Sequence, residues 1–198
     1  MPTDGVNKGR RRFLLATTSV VGAVGVGFAA VPFIESWMPS AKAQAVGAPV
    51  QVNFGALEPG QVLKVLWRGQ TIGVLRRKQE ILDLLPELND RLRDPESKES
   101  EQPSFARNEY RSLRPEYLVV NMICTHLGCV PRVVPEVGPE PWDEDWKGGF
   151  FCPCHKSKFD MSGRVYKGVP APTNLRIPPY SFIDEQTVVI GVEPQGAS

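Results

Sequence analysis

The sequence is poor in the residues that most often do chemistry: its 198 residues include two histidines and four cysteines. It also lacks an excess of either charge, with a formal net charge of +1. That balance argues against nucleic acid or another polyanion as the main partner. Only one long apolar run is present, near the N-terminus. Setting it aside leaves roughly 150 residues, enough for one compact domain with its own core. With 18 glycines and 19 prolines, short strands and tight turns are favoured over long helices.

The scarce residues are not scattered. All the cysteines and histidines fall in two short boxes, Cys124-Thr125-His126-Leu127-Gly128-Cys129 and Cys152-Pro153-Cys154-His155-Lys156-Ser157. Such clustering points to a bound group. A tetrahedral zinc site is one reading, since four Cys and two His exceed its needs. Zinc modules more often use paired C-x₂-C knuckles, whereas the spacings here are C-x-H and C-x-C-H. A pair of structural disulfides would leave both histidines without a role.

At the N-terminus, Arg10, Arg11 and Arg12 precede an uncharged stretch from Phe13 to Ile34. The paired arginines followed by Phe13-Leu14 resemble a twin-arginine export signal. The apolar stretch is close to the ~20 residues that cross a bilayer as a helix. The basic flank places the N-terminus in the cytoplasm and everything after Trp37 outside. Ala43-Gln44-Ala45 reads like a cleavage site, but it lies well beyond the apolar run, which favours a retained anchor. The expected organisation is a cytoplasmic export segment (1–12), a transmembrane anchor (13–35), a flexible tether (36–49) and an outer domain (50–198).

Within the outer domain, Val50–Phe54, Val62–Trp67 and Thr71–Leu75 read as strands, with a turn at Arg68-Gly69-Gln70. Ile81, Leu85, Leu88 and Leu92 recur at helical spacing, but Pro86 predicts two short turns or a kinked helix. The charged stretch Asp94–Gln102 reads as a solvated loop. Tyr117–Ile123 is a buried strand leading into the first box, and Gly148–Phe151 leads into the second. Leu175–Ile177 and Val188–Val192 are expected to close the sheets. The long Pro-, Glu- and Asp-rich connection from Val130 to Phe151 reads as a solvated insertion or a partner-contact loop.

The two boxes resemble the Rieske family, in which two histidines replace two cysteines on one iron of a [2Fe–2S] cluster. The resemblance implies a mainly β fold: antiparallel sheets with cluster-binding loops at about 122–180, preceded by one N-terminal transmembrane helix. It implies that Cys124 and Cys152 hold the inner iron, His126 and His155 the outer iron, and that Cys129 and Cys154 form a disulfide. Such a bond suits an exported domain. Ser157 would donate a hydrogen bond to a sulfide, Leu127 beside Gly128 would form an apolar tip, and Gly168-Val169-Pro170-Ala171-Pro172 would cover the cluster as a proline loop. This chain departs from the family at two positions: Phe159 stands where many members have tyrosine, and Lys156 where glycine is usual.

Charge counting explains the ligand mixture. Two ferric ions, two sulfides and two thiolates give a core formally near neutral, whereas four thiolates make it about two charges more negative and harder to reduce. The proton on each imidazole feels the ferric charge and becomes more acidic. Over nearly its whole length the chain resembles the Rieske subunits of bacterial ubiquinol–cytochrome c reductases. That implies a translocase with ubiquinol as reductant, cytochrome b and c-type cytochrome partners, a dimeric complex, and a single-pass protein of the inner membrane facing the periplasm. A Rieske subunit of an arsenite-oxidase-like enzyme is the main alternative.

Overall fold

The computed structural model describes residue 5 and residues 7–194, with the backbone alone at Lys42. Residues 1–4 and 6 of the export segment, and 195–198 of the outer domain, lie outside the described residues. The chain divides into two compact units, Met1–Ala45 and Val46–Ser198.

In the first unit, helix α1 spans Lys8–Glu35 and is long and apolar enough to cross a membrane. Asn7 caps it, its side chain accepting from the Arg10 N–H at 3.1 Å. Phe13, Val20, Phe28 and Phe33 point outward along it, all exposed. The stretch read as a flexible tether is not uniformly irregular, because Ala41–Gly47 forms helix α2. Three alanines favour the helix, and the Ser40 hydroxyl accepts from the Ala43 N–H at 3.2 Å.

The second unit holds three three-stranded antiparallel sheets among its described residues. Strands β2 (Val62–Trp67), β3 (Gln70–Arg76) and β4 (Tyr117–Asn121) form one, in that order. Strands β5 (Arg132–Glu140), β6 (Asp143–Phe151) and β7 (Lys158–Asp160) form the second. The third joins β1 (Val50–Asn53) to β9 (Thr187–Ile190) and β8 (Tyr180–Phe182). The core runs through Ile72, Val74, Leu118, Val120, Phe150, Val188 and Ile190, all fully buried. Helix α3 (Gln79–Leu84) gives way at Pro86 to a 3₁₀ helix over Pro86–Arg91, in line with the broken helical pattern.

Three expectations change. The connection from Val130 to Phe151 is the paired hairpin β5–β6, not a solvated loop. Trp146 anchors it, fully buried, donating from Nε1 to the Val134 carbonyl at 3.1 Å and stacking on Tyr166. Asp143, its side chain 5 % exposed, ties the hairpin to Arg91 at 2.6 Å and Lys158 at 2.8 Å. The stretch Asp94–Gln102 is also partly buried: Asp94, Ser97 and Ser100 face inward, because the Asp94 carboxylate accepts the loop's own N–H groups. Leu175–Ile177 packs in the core without forming a strand, since Leu175 N–H bonds to Gly163 and Arg176 carbonyl accepts from Asn121.

Candidate metal centre

Strand β4 ends two residues before Ile123-Cys124, and β6 runs directly from Phe151 into Cys152. Both boxes are therefore loops at strand ends. Each closes on itself in the same way. The Cys124 N–H bonds to the Cys129 carbonyl at 2.7 Å, and the Gly128 N–H to the Cys124 carbonyl at 3.0 Å. In the second loop the Cys152 N–H bonds to the Ser157 carbonyl at 2.8 Å, and the Lys156 N–H to the Cys152 carbonyl at 2.9 Å.

Cys129 and Cys154 are joined by a disulfide, with Cα atoms 6.7 Å apart. The sulfurs of Cys129, Cys152 and Cys154 lie within 4.8 Å of one another. Two of the three are oxidised to each other, so only Cys152 of that trio keeps a thiol. The free thiols are Cys124 and Cys152, exposed by 2 % and 1 %. Burial pushes the Cys124 thiol up; the His126 N–H and the Ser157 hydroxyl pull it down, and the neighbouring Cys152 thiol raises it.

The rings of His126 and His155 meet edge to face, 4.7 Å between centroids, with His155 exposed and His126 half-buried. The Nδ1 of His126 is buried with no hydrogen-bond partner. A buried ring nitrogen without a partner is costly unless something binds it. Two shielded thiols together with that nitrogen suit a site that takes both sulfur and nitrogen ligands.

The proline loop joins both boxes. The Ala171 N–H donates to the Ser157 hydroxyl oxygen at 3.0 Å, and the Thr125 hydroxyl donates to the Thr173 carbonyl at 2.7 Å. Ala171 is fully buried while Gly168, Pro170 and Pro172 are exposed. Ser157 is fully buried, and its own proton remains free to turn toward a sulfur. Leu127 is 70 % exposed at the rim, next to exposed Gly128. Phe159 is fully buried in β7, opposite Phe150. Strand β7 comes so close to β6 that a Cβ on Gly149 would lie 2.1 Å from the Phe159 carbonyl oxygen. Lys156 is exposed with φ 60, so it takes up the left-handed conformation that glycine favours. Thr125, Thr173 and Asn174 also shape the site, and the sequence reading missed them. Their position beside the first box and the proline loop was the available signal.

A family model described as "Ubiquitinol-cytochrome C reductase Fe-S subunit TAT signal" matches residues 1–40, and one described as "Rieske [2Fe-2S] domain" matches residues 96–180. Over 198 residues the chain is 52 % identical to a ubiquinol-cytochrome c reductase iron-sulfur subunit of Allochromatium vinosum, covering all of this chain and 95 % of the relative. The chain belongs to the Rieske iron–sulfur subunit family. A second member, from Blastochloris viridis, is 40 % identical over 96 % of each chain. A solved hyperthermophilic respiratory Complex III chain aligns with 89 % of this chain and 98 % of its own length, at 22 % identity and a TM-score of 0.48. As a Rieske iron–sulfur subunit, the chain serves in electron transfer, and its cofactor is one [2Fe–2S] cluster. The twin-arginine segment containing Arg10 and Arg11 falls within the matched export signal.

Proposed function

We propose that this chain is the electron-transfer subunit of a quinol–cytochrome c reductase, a translocase, with Cys124 and Cys152 holding the inner iron and His126 and His155 the outer one. The observation that carries the ligand assignment is the partnerless, buried Nδ1 of His126 beside His155, next to two buried free thiols. When bound, the cluster supplies a one-electron acceptor whose potential is raised by the two neutral imidazoles.

The chain's own residues then do the following. His155, exposed at the rim, would meet a quinol hydroxyl and accept its proton on the ring nitrogen not used for ligation, once that nitrogen has given up its own proton under the nearby ferric charge. His126, with Nδ1 directed inward, leaves Nε2 for the same task. Leu127 offers apolar contact to a lipid-soluble reductant. Ser157 would stabilise added negative charge by hydrogen-bonding its hydroxyl to a sulfur. The Cys129–Cys154 disulfide keeps the two loops together, and the proline loop around Ala171 keeps water away from the buried thiols.

Ubiquinol, held by a cytochrome b subunit, is the reductant, and a c-type cytochrome is the oxidant. The stretch 36–49 lets the outer domain travel between them, and protons leave on the outer side. Arg10, Arg11 and Arg12 keep the N-terminal end of α1 in the cytoplasm, so α1 crosses the inner membrane once and the domain faces the periplasm. The complex is a dimer.

Membranes expressing the chain test this. The protein should co-purify with b- and c-type haems, give a reduced-state Rieske resonance, and support quinol-dependent cytochrome c reduction. Preparations isolated anaerobically without iron and acid-labile sulfide would overturn it. Replacing Arg10 and Arg11 together by lysine should strand the folded protein on the cytoplasmic side.

A further inference from the structure

We infer that the segment Arg93–Ser100 is a positioning device that holds the proline loop closed over the cluster; this rests on the cluster reading above. From the sequence the segment looked like a plain charged loop. The structure gives it hydrogen bonds to Val169, Pro172 and Asn174, in the same stretch whose Ala171 and Thr173 bond the two cluster loops.

The Asp94 carboxylate organises the segment. It accepts the N–H groups of Lys98, Glu99 and Ser100 at 2.7, 3.1 and 3.1 Å, and the Ser100 hydroxyl at 2.7 Å. With its proton committed to Asp94, the Ser100 oxygen accepts the Asn174 N–H at 3.1 Å. The Asn174 side chain completes the join, donating to the Asp94 carbonyl at 2.9 Å and the Ser97 hydroxyl at 3.0 Å. Its Oδ1 accepts the Val165 N–H at 2.8 Å. Asp94, Ser97, Ser100 and Asn174 are all buried, so water cannot substitute for these bonds. Ser97 is left-handed at φ 52, an unfavourable state for a non-glycine that the surrounding bonds maintain.

Asn174 directly follows the residue whose carbonyl accepts from Thr125 in the first cluster loop. Three residues earlier, Ala171 donates to Ser157 in the second. From outside, Arg93 clamps the same loop, donating to the Pro172 carbonyl at 3.1 Å and the Val169 carbonyl at 3.5 Å. The proline loop is therefore gripped from behind through Asn174 and from the solvent side through Arg93. Pro170 and Pro172 have no N–H, so Ala171 supplies the only amide of that tripeptide. Its bond to Ser157 reports closure directly.

The test uses the full-length protein purified in detergent with its cluster. Hydrogen exchange is followed at Ala171 and iron release is followed under a chelator, for wild type, Ser100→Ala, Ser100→Thr and Arg93→Gln. Ser100→Ala should speed both by about thirtyfold, the change expected from losing two ordinary hydrogen bonds, the one given to Asp94 and the one accepted from Asn174. Exchange at Val119 and Val188, in the two other sheets, should stay unchanged, and Ser100→Thr should restore the wild-type rates. Arg93 is exposed, so Arg93→Gln carries the test if Ser100→Ala does not fold. Unchanged Ala171 exchange and iron release in Ser100→Ala (or in Arg93→Gln, where that variant stands in), or failure of threonine to restore them, would overturn the inference. Wild-type protein without iron would instead overturn the cluster reading, and the exchange at Ala171 would still be measurable.

Discussion

Lys156 occupies, in the loop that begins at Cys152, the place Gly128 occupies in the loop that begins at Cys124. Each is the fifth residue of its box, and each gives its N–H to the carbonyl of the leading cysteine. Both are left-handed, at φ 60 and 83. The two loops are thus one backbone solution used twice, and glycine is the natural residue at that point. The lysine leaves the loop's hydrogen bonds in place and carries the conformational cost itself.

Replacing Lys156 by glycine should therefore stabilise the protein. A left-handed non-glycine costs about 1–2 kcal/mol, part of which glycine gives back as greater freedom when unfolded. The thermal midpoint of the cluster-loaded protein should rise by about 2–4 °C, as expected for a gain near 1 kcal/mol in a domain of this size. A lower midpoint would mean that the exposed ammonium makes a contact worth more than the strain.

Phe159 invites a redox test. Its ring is fully buried in β7, directly after the loop that holds Ser157. A tyrosine there would bring a hydroxyl able to donate to a cluster cysteine. One such bond, at about 1 kcal/mol, corresponds to about 40 mV for a one-electron couple. Phe159→Tyr should raise the midpoint by roughly that amount in a potentiometric titration, and an unchanged midpoint would count against a sulfur contact at this position.

Acid should weaken the Rieske domain through two carboxylates. Burial raises the Asp94 carboxyl, but the Ser100 hydroxyl and three N–H groups outweigh it and hold it below the usual carboxylate range. Burial likewise opposes Arg91 and Lys158 at Asp143, and the two cations win. A folded pKa below the unfolded one means stability that is full above the unfolded value and lost as pH falls through the folded one. Urea midpoints should fall from about pH 4 downward. Asp94→Asn and Asp143→Asn should be less stable at pH 7 and show a shallower acid decline.

The disulfide closes a loop over a sequence separation of 25. Constraint of the unfolded chain by a ring of that size contributes about 3 kcal/mol. Replacing Cys129 and Cys154 together by alanine should lower the unfolding free energy by about that much. Iron should also be released faster, because the loops then rely on their internal hydrogen bonds and the proline loop. Equal stability in reduced and oxidised protein would remove the covalent link from the account.

Local pattern made much of this legible. Val62–Trp67 is a short apolar run broken only by Lys64 and ends at a two-residue turn, so β2 and β3 follow directly, and the cysteine and histidine spacing marked both loops. What stayed hidden depended on distant partners. Asp94–Gln102 has the composition of a solvated loop, yet the Asp94 carboxylate is satisfied by the loop's own N–H groups and the Ser100 hydroxyl, and the Asp94 carbonyl accepts from Asn174, far along the chain. The β5–β6 hairpin was obscured by Pro135, Gly138 and Pro139, and its pairing shifts register after Val134 and again after Gly138. Leu175 and Ile177 looked like a strand because they are apolar and buried, but their neighbouring backbone groups bond to a turn and to a single strand residue.

The Cys129–Cys154 bond also determines which parts of the domain can carry mechanical load. A pull applied at the two ends of the domain passes from Cys129 to Cys154 through sulfur and bypasses the hairpin between them. Cys152 and the turn around Trp142 lie inside that shunt, so such a pull leaves them unstretched.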